Sequence, residues 1–257
     1  MARAKKTEQA MPVDELEGML TRLKLTAIRD QLDTLLDQAA RADMTLREAL
    51  TMLCAAEVAR KDERRIQMGM SIAKFPCVRM LEGFEFEAQP SIDPKLVREL
   101  ATSRWVANGD TVLLLGPPGV GKTHLAVALG REAILRGYST LLRAHAEGRL
   151  EEKLTHLAKP KLLVIDELGY LPFEANAAHL FFQLVSRRYE RGATLLTSNR
   201  SVAEWGGVFG DAVVATAILD RLLHHSHVVT IRGDSYRLKA KRKSGLVRDN
   251  TALAAAT

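Results

Sequence analysis

Residues 116–123 read GPPGVGKT, between the apolar run TVLLL and the stretch HLAVALGREAILRG. Three glycines among those eight residues suit neither a strand interior nor a helix interior, so the segment has to turn one element into the next. It fits G-x-x-x-x-G-K-[ST] at Gly116, Gly121, Lys122 and Thr123, after an expected strand and before an expected helix. Glycine freedom lets successive backbone N–H groups curl inward onto a phosphate, and the positive end of the following helix reinforces the same point. Lys122 is placed to neutralise β- and γ-phosphates, and the Thr123 hydroxyl to ligate Mg²⁺. Pro117, Pro118, Gly119 and Val120 complete the loop and His124 follows it, so residues 116–124 are all expected at the nucleotide. The bland alternative is a glycine-rich turn with no ligand.

The rest of the chain supplies the rhythm that such a loop requires. TVLLL (111–115), STLLRA (139–144), KLLVID (161–166) and ATLLTS (193–198) are short apolar runs of buried-strand type, separated by helical stretches that stop near Gly137 and Gly192. Strand alternating with helix predicts an α/β fold, a parallel sheet flanked by helices on both faces. Ahead of it, Val13 to Phe75 contains no proline and only Gly18 and Gly69. Apolar residues at Leu16, Leu20, Leu23, Ile28, Leu32, Leu35 and Ala39 fall near the spacing of one helical face. TLRE (45–48) reads as a capping box that starts a second helix. The expected organisation is a small all-α N-terminal domain over 1–80, an α/β domain over 81–245, and a disordered tail over 246–257.

Three further elements belong with the loop. In LLVIDEL (162–168), Asp166 and Glu167 end an apolar strand, where a carboxylate is costly unless it faces a cation. Asp166 is expected to hold Mg²⁺ beside Thr123, and Glu167 to orient and deprotonate an attacking water; an acid pair after a strand can also simply cap the next helix. Asn199, just past the fourth strand, should emerge at the same sheet edge and touch the lytic water or the γ-phosphate. Arg221, in AILDRLLHHSH, either reaches the nucleotide of a neighbouring subunit in a ring or spiral or pairs with Asp220 on the surface. His224, His225 and His227 have no cysteine or i,i+4 histidine nearby and are not read as a metal site. No NKxD element is present, which favours ATP over GTP.

Charge points to a polyanionic partner. The net charge is +6, and IRGDSYRLKAKRKSGLVR (231–248) alone carries that whole excess in Arg232, Arg237, Lys239, Lys241, Arg242, Lys243 and Arg248 against Asp234. Such a run is a solvated tail or a contact to a DNA backbone. Cys54 and Cys77 are isolated, no secretory signal opens the chain and no run approaches a membrane span, so a reduced, cytoplasmic setting without a membrane is expected.

With these residues in place the chain resembles the IstB ATP-binding helper proteins of bacterial insertion-sequence transposons, AAA+ P-loop NTPases close to the DnaC/DnaI helicase loaders. The resemblance runs over residues 12–245 and rests on GPPGVGKTHLAVALG, LLVIDELGYLPF, FFQLVSRRYERG, TSNR, EWGGVFGD, AILDRLLHHSHVVTIRGDSYRLK and the leader MLTRLKLTAIRDQLDTLL. It implies an ATPase using ATP and Mg²⁺, with Asp166 and Glu167 as the Walker B pair, Asn199 as sensor 1, Arg221 as the arginine finger and Arg237 as a sensor-2-like contact. It further implies double-stranded DNA, the transposase of the same element and a homo-oligomer as partners, and a fold without the helical C-terminal lid domain. A helicase loader, and a nucleotide-gated scaffold that scarcely hydrolyses, are the rival readings.

Overall fold

The structure, a computed structural model, describes residues 13–144, 150–170, 173 and 175–236. It divides into two compact units, the first ending at Gln67 and the second beginning at Met68.

The described part of the first unit is helical: α1 (Val13–Arg22), α2 (Thr26–Asp30), α3 (Leu32–Arg41) and α4 (Leu46–Ala73), whose last residues belong to the second unit. The apolar spacing from Leu16 to Ala39 predicts one helix, and the structure breaks it twice. Lys24 takes a left-handed φ of 56° after α1, and Leu25, the N-cap of α2, offers no side-chain cap. The cap comes from α4 instead: the Glu57 carboxylate accepts the Ala27 N–H at 2.8 Å and the Ile28 N–H at 3.2 Å. Leu20, Ala27, Ile28, Leu35 and Ala39 are the residues this folding buries. The capping box of α4 forms as the sequence predicts, with Thr45 N–H on Glu48 at 2.8 Å and Glu48 N–H on the Thr45 hydroxyl at 3.4 Å.

The second unit continues with α5 (Pro94–Ala101), α6 (Arg104–Asn108), β1 (Thr111–Leu115), α7 (Lys122–Leu135), β2 (Thr140–Ala144), α8 (Leu150–Ala158), β3 (Leu162–Leu168), α9 (Ala175–Arg188), β4 (Ala193–Ser198), α10 (Trp205–Phe209), α11 (Ala212–His224) and β5 (Ser226–Thr230). The five strands form one sheet in the order β2-β3-β4-β1-β5, and every pairing is parallel. Successive side chains of a strand point to opposite faces, and both faces are covered. Val112 and Leu114 join the core with Leu125, Ala126 and Leu129 of α7. Leu113 and Leu115 join the other core with Phe181 and Leu184 of α9 and Ile218 and Leu222 of α11. Burial on both sides is why these strands read as unbroken apolar runs. β5 gave no such signal. It is an edge strand beside β1, mostly half-exposed or exposed, and its SHVVT carries a histidine among its apolar residues.

Because all the strands run one way, their carboxyl ends share one edge, and loops from β1, β3 and β4 meet there. Among the described residues no helix is long and apolar enough to cross a membrane.

Candidate functional site

The loop after β1 curls as its glycines allow: φ is 152° at Gly116, 84° at Gly119 and 100° at Gly121. A side chain at Gly116 would strike the Ile231 carbonyl, and one at Gly121 would sit 2.7 Å from the Phe84 ring. Both positions therefore need glycine for space as well as for backbone freedom. Gly121 is the N-cap of α7 and offers no side-chain cap, so the helix's first amides keep their donor capacity for an anion. Val120 is fully buried in the core and anchors the loop from below, while Pro117 and Pro118 are exposed on its rim. Lys122 is buried, and its ammonium donates to the carbonyls of Gly116 at 2.6 Å and Pro117 at 2.7 Å. The same curl that forms the cradle thus holds the lysine over it.

β3 delivers the acid pair through a bulge. The ladder to β4 is in register up to Ile165↔Leu196 and resumes at Leu168↔Ser198, so Asp166 and Glu167 together face Thr197. Asp166 turns inward and is buried, whereas Glu167, at a φ of 61°, is exposed. The Thr123 hydroxyl donates to Asp166 Oδ1 at 3.1 Å, so the first turn of α7 and the end of β3 are joined across the sheet edge. A hydroxyl and a carboxylate side by side are hard oxygen donors, the set that suits Mg²⁺. The described geometry fits both a polyphosphate and that ion. Asn199 follows β4 at the same edge and is half-buried, and the next residue's N–H is held by the Ser198 hydroxyl at 3.1 Å.

His124 directs its side chain elsewhere: its ring pairs with the Met80 carbonyl at 2.8 Å and packs edge-on against Phe84 with centroids 5.2 Å apart. Phe84 belongs to the Pro- and Gly-containing stretch around the expected domain boundary at residue 80, and it packs against the loop. The pair of phenylalanines, Phe84 and Phe86, set among glutamates was the available signal. The chain beyond β5 also borders the loop. Tyr236 N–H donates to the Gly119 carbonyl at 3.0 Å, and its hydroxyl donates to Glu85 at 2.8 Å, which pushes the phenol pKa up. Arg237, the basic run from Lys239 to Arg248 and the tail lie outside the described residues.

Arg221 is not with the others. On α11 it donates to the Ala217 carbonyl at 2.9 Å and lies 4.7 Å above the Phe182 ring. It lines a pocket with Asp110, Thr111, Arg188 and Thr194, at the amino ends of β1 and β4. That is the far edge of the sheet from the loop, a strand's length away, on the order of 15 Å. The histidines lie nearby. Tyr189 and His224 share a 2.7 Å hydrogen bond, and His225 faces Glu190 at 3.8 Å. Donor atoms of Glu190, His224 and His225 come within 4.8 Å of one another, but all three residues are exposed to water. The group is a surface cluster of polar side chains.

A parallel five-stranded sheet in this order, with a phosphate-type loop after β1 and an acid pair after β3, defines a P-loop nucleotide-binding protein of the AAA+ class. The chain belongs to the family of IstB-like ATP-binding proteins, which it matches over residues 18–244, and ATP binding comes with that family. It is 47% identical to an insertion sequence IS21 ATP-binding protein of Pseudomonas aeruginosa, over 92% of this chain and 94% of the relative. It is 44% identical to an insertion sequence IS5376 ATP-binding protein of Geobacillus stearothermophilus, over 86% and 92% respectively. A crystal structure of DnaI shares 22% identity, covering 64% of this chain and 92% of that one, with a TM-score of 0.49.

Proposed function

We propose that this protein is an ATP-hydrolysing, DNA-binding oligomer that assists the transposase of its own insertion element. One observation carries the hydrolysis: the bulge in β3 splits the acid pair, turning Asp166 onto Thr123 and Glu167 out toward solvent. Two adjacent carboxylates are thereby given two tasks. The N–H groups of the loop, the amino end of α7 and Lys122 bind the triphosphate of ATP. Thr123 and Asp166 hold Mg²⁺, which neutralises phosphate charge when bound. Glu167 takes a proton from water as the water oxygen attacks the γ-phosphorus. The bond from that phosphorus to the bridging oxygen breaks, leaving ADP and inorganic phosphate. Asn199 orients the water.

Arg221 acts in trans, its guanidinium reaching the nucleotide of an adjoining subunit in a ring or spiral. Its place at the opposite sheet edge from its own loop supports that role. The DNA half of the proposal is supported by the net charge of +6 and by the concentration of that charge after Ile231. The transposase half is supported by relatives named as ATP-binding proteins of insertion sequences.

ATP turnover measured with and without duplex DNA, alongside ATP-dependent retention of labelled duplex on a filter, tests the proposal. Stimulated turnover and retention are expected, and the absence of both removes the DNA half. Capture by immobilised transposase rather than by a replicative helicase separates this function from helicase loading.

A further inference from the structure

We infer that Thr197 is a positioning residue for the Asp166–Glu167 pair, an inference that rests on the hydrolysis proposed above. Thr197 is the penultimate residue of β4 and is completely buried. Its hydroxyl donates to Asp166 Oδ1 at 2.6 Å and accepts the backbone N–H of Glu167 at 2.8 Å. A hydroxyl has one proton to give and lone pairs to receive, so one oxygen holds the side chain of the first acid and the backbone of the second.

The bulge explains why such a clamp is needed. Two β3 residues stand opposite the single residue Thr197, so the Glu167 N–H leaves the regular ladder. A part-buried amide outside the ladder needs another acceptor, and the Thr197 side chain provides it. Glu167 also holds a left-handed φ of 61°, which residues with a Cβ rarely adopt. Such a conformation persists only where the surroundings over-determine it. Thr123 and Thr197 both donate to Oδ1 of Asp166, from α7 and β4 respectively, which fixes the plane of the carboxylate. Removing the Thr197 hydroxyl frees Asp166 to rotate and lets Glu167 relax. Misplacement of a reacting group by about 1 Å costs on the order of 10²-fold in rate.

The test compares Thr197→Val, which keeps the shape and loses the hydroxyl, with Thr197→Ser, which keeps the hydroxyl. The readouts are kcat, KM for ATP, and the Mg²⁺ concentration giving half-maximal binding of a non-hydrolysable ATP analogue. For Thr197→Val we expect kcat to fall by about 30-fold or more with KM within about 3-fold, and the Mg²⁺ requirement to rise by about 5-fold or more. Thr197→Ser should stay within about 3-fold of the unaltered protein on every readout. Full turnover and an unchanged Mg²⁺ requirement in Thr197→Val, or a serine variant as impaired as the valine variant, overturns the inference. If the valine variant does not fold, Thr197→Cys takes its place with the same expectations, since a thiol fills similar space and donates weakly. An unaltered protein that binds the analogue with Mg²⁺ but never turns ATP over defeats the hydrolysis proposal alone. The Mg²⁺ requirement of the variants then decides on Thr197.

Discussion

At the carboxyl edge of the sheet Lys122 is buried and gives its ammonium to two carbonyls of its own loop, those of Gly116 and Pro117. At the amino edge Arg188 is also buried, and its guanidinium reaches backbone carbonyls of Leu157, Ala158, Pro160, Lys161 and Ala193 and the hydroxyl of Thr194. Both cations are satisfied by backbone oxygen, yet they do different work. The acceptors of Arg188 lie at the end of α8, in the turn behind it and at the start of β4, where carbonyls lack partners within their own elements. It ties three segments together and makes no ion pair with a carboxylate within 4.0 Å among the described residues. Burial lowers its pKa to about 10, so it remains charged at neutral pH. Lys122 instead closes a loop of six residues beside a helix start with no side-chain cap. Burial of a cation is therefore no sign of a ligand until its acceptors are traced.

The most demanding test asks whether the two edges meet between subunits. Arg221→Ala should lower turnover by about 10³-fold or more, the range for an arginine finger, while leaving ATP binding to the single chain unchanged. Mixing that variant with Lys122→Ala should restore part of the lost turnover, because each supplies what the other lacks. No recovery on mixing, together with a loss of ATP binding in Arg221→Ala alone, would place the arginine's role inside one subunit. Next in size is Arg188→Met. Stranding several buried carbonyls should cost about 3–5 kcal/mol in urea unfolding, and a loss below about 1 kcal/mol would mean that Arg188 does not tie these segments together. Lys122→Ala should weaken ATP binding by about 100-fold, corresponding to two charge-assisted contacts. A fluorescent ATP analogue measures it, and affinity kept within a few fold would contradict the loop assignment.

The smallest effect lies in the helical unit, where Glu57 does for amides what Arg188 does for carbonyls. Burial pushes the Glu57 carboxyl up, but the N–H groups of Ile28 and Ala27 and the charge of Lys61 outweigh it, so its pKa lies below the ordinary value. A depressed carboxyl contributes stability that is fully present above its unfolded pKa and is lost as pH falls through the folded one. Glu57→Gln should therefore flatten the acid side of the stability profile and leave the alkaline side alone, as a urea series at stepped pH would show. An unchanged acid slope would mean that the capping charge contributes nothing.

Much of this was legible in the residues because it is local. The spacing from Gly116 to Thr123 demands a left-handed turn wherever it occurs, and Thr45 and Glu48 find each other within one helical turn. The four apolar runs became strands because burial on both faces leaves a continuous signature. β5 was illegible for the opposite reason, since a half-exposed edge strand tolerates histidine and serine. Phe84 was hidden in an irregular connection, and Thr197 in a run whose three hydroxyl residues give no sign of which one matters.

By itself the sequence determined the class of fold, the phosphate-type loop and the identity of the acids that follow β3. These depend on backbone freedom, periodicity and spacing over a few residues. Tertiary structure alone decided that Glu57 interrupts the leader to cap α2, that Arg188 is a tie and not a ligand contact, and that Thr197 clamps both acids. Each of those depends on where an unpaired polar group comes to lie once distant segments pack, and no short-range pattern records that position.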